Sequence, residues 1–275
     1  MDVTVTALTA ANRLAWLAAA PDGRPLGTAF LRTGSGELDL HVHPAERRHG
    51  VGTTLLAAAL AGARGQGRRS VVTAPVPQGS PGEAFCRARG LRQVLGLTYT
   101  RLDRAVEVPA VLPPAGYRLA SWTGRVPDEL AASFAAARPA MDDLPTDDAD
   151  VAPQAWDVER VRAVADAVAG RGDHLVTVAA LAPDGSIAGF TELVVPRSGA
   201  GDAQHYGTGV LPEHRGRGLA RAMKAESIRL VRSRFPELAG LVADTADSNA
   251  AMRKVNDGLG YVPTHRALMF QADLA

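Results

Sequence analysis

The sequence predicts a mixed-sheet α/β fold (α+β in its strand arrangement) built twice in tandem, and three internal matches carry that prediction. Residues 42–52, Val-His-Pro-Ala-Glu-Arg-Arg-His-Gly-Val-Gly, align without gaps on residues 210–220, Val-Leu-Pro-Glu-His-Arg-Gly-Arg-Gly-Leu-Ala. Upstream, Ala20-Pro21-Asp22-Gly23 with Gly27 matches Ala182-Pro183-Asp184-Gly185 with Gly189. Downstream, Ala88-Arg89-Gly90-Leu91 parallels Gly258-Leu259-Gly260-Tyr261. One such match is within reach of chance; three in the same order mark a duplication.

The elements follow in the same order in each copy. Each Pro-Asp-Gly lies between β-rich runs, a turn signal that predicts a hairpin: Leu14 to Ala20 with Leu26 to Leu31, and Leu175 to Leu181 with Ile187 to Val195. A strand comes next, Leu38 to Val42 in the first copy and Gln204 to Val210 in the second. After an Arg-Gly turn, helices are expected from Thr53 to Ala63 and from Leu219 to Arg234, the latter on the spacing of Leu219, Met223, Leu230 and Val231. Strands at Ser70 to Ala74 and Leu241 to Asp244 then lead to helices at Gly82 to Arg89 and Asn249 to Leu259. The second copy also carries a strand at Gly116 to Trp122 and two helices, near Pro127 to Ala137 and Trp156 to Ala169. The first copy has only Met1 to Asn12 in that place, room for one strand. The expected division is a truncated, non-catalytic domain at 1–108 and a complete, catalytic one at 109–275.

Bulk properties narrow the function. A chain of 275 residues suits two domains, and 46% hydrophobic residues suffice for buried cores. The formal charge of +1 supplies no field for a polyanion, so neither nucleic acid nor a membrane surface is an expected partner. Cys86 is the single cysteine, which excludes an intramolecular disulfide. The first thirty residues show no signal-peptide pattern, and no apolar run reaches membrane-spanning length, so a cytoplasmic monomer or homodimer is expected. No metal site is expected.

The Arg-Gly turn carries the chemistry. A strand, then Arg-x-x-Gly-x-Gly/Ala, then a helix forms an anion cradle. Glycines let backbone N–H groups close on a pyrophosphate, and the helix offers its unpaired first-turn N–H groups. Arg215 and Arg217 add charge-assisted donors.

With these motifs both copies resemble the GNAT superfamily of acyl-CoA N-acyltransferases, and the second half resembles the tandem GNAT proteins of actinobacteria. The resemblance implies acetyl-CoA as co-substrate, bound by Arg215, Gly216, Arg217, Gly218, Leu219 and Ala220. It implies a possible second CoA site at Val42, Arg47, Arg48, His49, Gly50, Val51 and Gly52. It also implies a backbone N–H near Val210 that polarises the thioester, and direct attack by the amine of a small-molecule acceptor. A protein acceptor, or a CoA-binding pair without turnover, is the alternative.

The family's general acid is commonly a tyrosine seven residues after an asparagine in the last helix. Here Asn249 is followed at that spacing by Asn256, and the matching place in the first copy is Cys86. Asn249 and Asn256, two turns apart, become candidates for binding the pantetheine or its thiolate, with helix capping the alternative for Asn249. Glu192, a charged residue in the apolar run Gly189-Phe190-Thr191-Glu192-Leu193, is the candidate base, against the alternative of an exposed face. His205, Tyr206 and Asp244 are weaker candidates. The carboxylate-rich segment from Met141 to Asp150 lies between the two inserted helices and would attract a cationic acceptor.

Overall fold

The computed structural model describes residues 3–10, 13–141, 147 and 155–274; the acidic segment lies outside the described residues except for Met141 and Asp147. The strands are β1 (Thr4–Ala10), β2 (Arg13–Ala19), β3 (Pro25–Arg32), β4 (Glu37–Val42), β5 (Ser70–Thr73), β6 (Val76–Pro77) and β7 (Arg92–Asp103) in the first half. They continue as β8 (Arg118–Thr123), β9 (His174–Leu181), β10 (Ile187–Val195), β11 (Gly201–Val210), β12 (Leu238–Ala246) and β13 (Val262–Asp273). The helices are α1 (Val51–Gly65), α2 (Pro81–Ala88), α3 (Asp128–Ala137), α4 (Val158–Gly170), α5 (Leu219–Arg234) and α6 (Ala250–Asp257). A 3-10 turn at Arg138–Met141 continues α3.

Two compact units result. Of the described residues, the first takes in those up to Leu97, Asp147 and those from Arg266 on; the second takes in Thr98 to Met141 and Ala155 to His265. In the first unit β1 to β4 are antiparallel neighbours and β4 pairs parallel to β5 through α1. In the second, β8 to β11 repeat the antiparallel run and β11 pairs parallel to β12 through α5.

The last strand of each unit comes from the other sequence copy. The end of β13 pairs antiparallel with β5, from Gln271↔Val72 to Asp273↔Ser70, and places Phe270 fully buried in the core with Leu38, Leu55 and Val71. The end of β7 lies beside β12, where Thr100 Oγ1 donates to the Ala243 carbonyl. Arg101 on this strand grips Asp202 of β11 through two bonds of 2.9 Å. Gly240 of β12 permits the approach, since a Cβ there would stand 2.7 Å from the Leu102 carbonyl oxygen.

A repeated glycine aligns the hairpins with the turns. Gly27 pairs with Val42 and Gly189 with Val210, the residues that end the strands before each Arg-Gly turn. A Cβ at Gly27 would lie 2.5 Å from the His41 carbonyl oxygen, and one at Gly189 2.7 Å from that of Gly209. Backbone approach, not turn chemistry, is why this glycine recurs. The inserted α3 and α4 pack on β9 and β10 around Phe134 and Phe190, and among the described residues the first unit has no counterpart of either helix.

The exchange predicts that a core change in the chain's last strand loosens an element near its start. Phe270→Ala should cost about 3–5 kcal/mol and sharply raise amide exchange at Val71 and Val72. Unchanged protection in β5 would contradict the exchange.

Candidate functional site

The two Arg-Gly turns share one backbone. Gly216 and Gly218 have φ of 73° and 82°, and their counterparts Arg48 and Gly50 have 68° and 87°. These left-handed residues swing the chain from the 3-10 turn after each strand into the helix, whose N-cap glycine offers no side-chain cap. The first-turn N–H groups therefore stay available to an anion. No atom stands within 4 Å of a Cβ built at Gly50, Gly216 or Gly218, so each cradle is open. Arg48 holds a conformation that strains an L side chain by roughly 1–3 kcal/mol, where the second copy has glycine.

The motif's leading arginine is tied back to its strand in both copies. Arg215 Nε donates to the Val210 carbonyl at 2.9 Å, and Arg47 Nε to that of Val42 at 3.3 Å. Before each turn is reached the parallel strands part. β11 and β12 pair from Gly201↔Leu238 to Gln204↔Val242, and β4 with β5 only at Glu37↔Val72 and Leu38↔Thr73. In the first unit the parted strands and the turn open on a cleft of about 640 Å³, lined among others by Val42, Arg47, Gly50, Thr53, Phe85 and Cys86. Burial pushes the Cys86 thiol up to about 11, which keeps it protonated and unreactive near neutral pH.

In the second unit a bulge decides which side chains meet. Glu192 pairs with Gly207 but Leu193 with His205, so Tyr206 is the extra residue and stands 54% exposed. The bulge places Glu192 and His205 on opposite faces of the sheet. Glu192 faces the 3-10 turn after α3 and is 2% exposed, which removes the exposed-face alternative; its carboxylate is bound by Arg138. His205 faces α5, and its Nε2 lies 2.6 Å from the Tyr261 hydroxyl.

A buried polar group on the α5 face escaped sequence reasoning. Lys224 is 2% exposed, with Nζ 5.3 Å from the centre of the Tyr261 ring. Burial brings its ammonium down to about 7, against the opposing pull of Asp244. Burial, then Lys224, holds the His205 imidazole well below its usual range. Partial desolvation raises the Asp244 carboxyl as well, although the residue as a whole keeps its contact with solvent. The helical spacing at Leu219 and Met223 gives no sign that the next residue, a lysine, also faces inward.

The last helix separates the two asparagines. Asn249 caps α6, accepting from the Met252 N–H at 3.0 Å. Asn256 is 1% exposed and donates to Thr245 Oγ1 at 3.1 Å, leaving its Oδ1 without a partner among the described residues. Asp244 projects from β12 as an exposed residue.

The chain matches the acetyltransferase (GNAT) family over residues 3–90 and 140–261. It is 32% identical over 245 residues to a mycothiol acetyltransferase of Clavibacter michiganensis subsp. michiganensis, covering 85% of this chain and 73% of the relative. A mycothiol acetyltransferase of Clavibacter sepedonicus is 31% identical over 251 residues, covering 86% and 73%. Among solved structures, a tandem GNAT protein from the clavulanic acid biosynthesis pathway superposes with a TM-score of 0.74 at 26% identity, covering 96% of this chain and 83% of that one. A GCN5-related N-acetyltransferase from Sphaerobacter thermophilus shares the fold, with a TM-score of 0.73 at 18% identity and coverage of 97% and 82%. The protein belongs to the GNAT family and is a tandem GNAT-type N-acetyltransferase. Acetyl-CoA is the co-substrate that this family and fold imply. No helix among the described residues is long and apolar enough to cross a membrane.

Lys224 makes a pH-dependent prediction. Its folded-state pKa of about 7 lies below the ordinary lysine value of 10.5, so the unfolded chain binds the extra proton between these values. Stability contributed by this group therefore rises with pH across that window, and its burial penalty is largest below 7. Lys224→Met should stabilise the protein most at pH 6, by about 1.4 kcal/mol for each unit of depression as an upper bound, with the gain fading toward pH 10. Denaturant titrations at several pH values check this; a gain that is flat with pH would contradict it.

Proposed function

We propose that the second unit transfers acetyl from acetyl-CoA to a primary amine of a small molecule by direct attack, while the first unit does not catalyse. The observation that carries this reading is the pairing, in one unit, of an open anion turn with a buried carboxylate beneath inserted helices. The relatives named mycothiol acetyltransferases favour a small-molecule acceptor over a protein.

In this reading Arg215, Arg217 and the backbone from Gly216 to Ala220 hold the pyrophosphate, and the pantetheine lies where β11 and β12 part. Backbone N–H groups on the side of β11 that β12 leaves open, in the stretch from His205 to Val210, polarise the thioester carbonyl. Glu192 takes the proton from the attacking amine through water, the C–N bond forms and the C–S bond breaks. Asn256, in the place where the family commonly has tyrosine, offers its amide to the pantetheine or its thiolate. With no acidic side chain there, the thiolate takes its proton from solvent. Asn249 contributes chiefly by starting α6.

The first unit keeps the same turn, with Val42, Arg47, Arg48, His49, Gly50, Val51 and Gly52, and we read its cleft as able to hold CoA. It lacks α3 and α4, so an acceptor has no wall to orient it, and orientation is a large part of such catalysis.

The test is CoA release from acetyl-CoA across a panel of cationic amines, amino sugars and aminoglycoside-like compounds. A rate well above background hydrolysis with at least one small amine is expected. Tight acetyl-CoA binding without release on any amine would favour a binding protein instead. Glu192→Gln should lower turnover by about a hundredfold or more and leave acetyl-CoA affinity intact. Full activity in that variant across pH would remove Glu192 from the mechanism.

A further inference from the structure

The 3-10 turn that follows α3 is seated directly on the central strand β11. A Cβ at Gly207 would come 2.7 Å from Met141 Cε, and one at Gly209 3.1 Å from Ala140 Cβ. Two alternate glycines thus let this turn lie flat on the sheet, and its first residue, Arg138, reaches Glu192. The Nη1 to Oε2 distance is 2.5 Å, with the two side chains 8% and 3% exposed. Three aromatic rings clamp the guanidinium, its carbon lying 4.2 Å from the centre of Trp156, 5.0 Å from Phe190 and 5.6 Å from Phe134.

A buried ion pair can be purely structural, and a well-packed structural pair has its polar atoms satisfied. This one does not. Arg138 Nε is buried without a hydrogen-bond partner among the described residues, and so is Thr177 Oγ1. Thr177 stands opposite Glu192 in the β9–β10 ladder, on the same face of the sheet. Two polar atoms without partners among the described residues thus flank one carboxylate beneath α3 and α4, leaving hydrogen-bonding capacity for a polar ligand atom.

We propose that Arg138 is a positioning residue for the acetyl-transfer reaction, fixing the Glu192 carboxylate in the one orientation from which it can take the acceptor's proton. A guanidinium stays protonated at any working pH, so Arg138 is not itself the proton acceptor. The aromatic clamp explains why arginine serves here: a flat cation stacks on Trp156 while its edge meets the carboxylate, which a lysine cannot reproduce. Among the described residues Arg160 is a further cation at this face, stacked on Trp156 at 4.9 Å. Thr177 from β9 and Gly207 from β11 bring no charge.

This inference rests on Glu192 acting as base, and the experiment separates the two. Initial rates with acetyl-CoA and an active amine each varied in turn are measured for the wild type, Arg138→Met, Arg138→Lys and Glu192→Gln, with thermal midpoints for each. Arg138→Met should lower kcat roughly tenfold to a hundredfold. The KM for acetyl-CoA should hold. Arg138→Lys should recover part of the lost kcat, and it carries the test if Arg138→Met does not fold. A folded Arg138 variant that keeps full kcat, or that loses rate only through a raised KM for acetyl-CoA, while Glu192→Gln is inactive, would overturn the positioning role alone. Full activity in Glu192→Gln would overturn both readings.

Discussion

The second unit is organised around a turn in which two residues, separated by one, take positive φ. That backbone turns the chain out of β11 and starts α5 with its first N–H groups uncapped. An uncapped helix start is costly unless solvent or an anion meets it, and the dipole of the 16-residue α5 favours the anion. The neighbouring features serve the same opening. Gly189 brings β10 against the end of β11, Arg215 anchors the turn to Val210, and β12 parts from β11 before the turn is reached. In the first unit the same dihedrals persist with Arg48 in place of a glycine. A strained arginine kept in this conformation shows how strongly the surrounding strand and helix impose it.

Much of this was legible because the turn is local chemistry. The repeat predicts both hairpins, both turns and the start of α5 at Leu219, since glycine, proline and the arginine act through their own backbone or immediate neighbours. Partner choice is not local. Nothing in the alternation of β7 or β13 distinguishes a strand that closes its own unit from one that closes the other, and sequence reasoning placed neither. The exchange becomes visible only through Arg101 on Asp202 and Phe270 in the core with Val71.

The candidate site divides the same way. The anion turn follows from residue types at fixed spacing. Glu192 stood out as a charge in an apolar strand, but its burial and its partner depend on Arg138, one of many arginines and distant in sequence. The bulge at Tyr206 reverses which residues of β11 face α5, so period-two reasoning could not show that His205 and Glu192 lie on different faces. Lys224 is a buried cation inside an otherwise ordinary amphipathic pattern. Each miss comes from tertiary contact overriding a local rule.

In the function proposed above, two near-identical turns have different duties, with turnover depending on the one that starts α5. Paired kinetics of Gly218→Val and Gly50→Val test this most directly, because both substitutions impose the same left-handed strain on a side chain with open space around it. Loss of acetyl-CoA turnover is expected in Gly218→Val and turnover close to wild type in Gly50→Val, with both proteins folded. Loss of activity confined to Gly50→Val would contradict it and move the active site to the first unit.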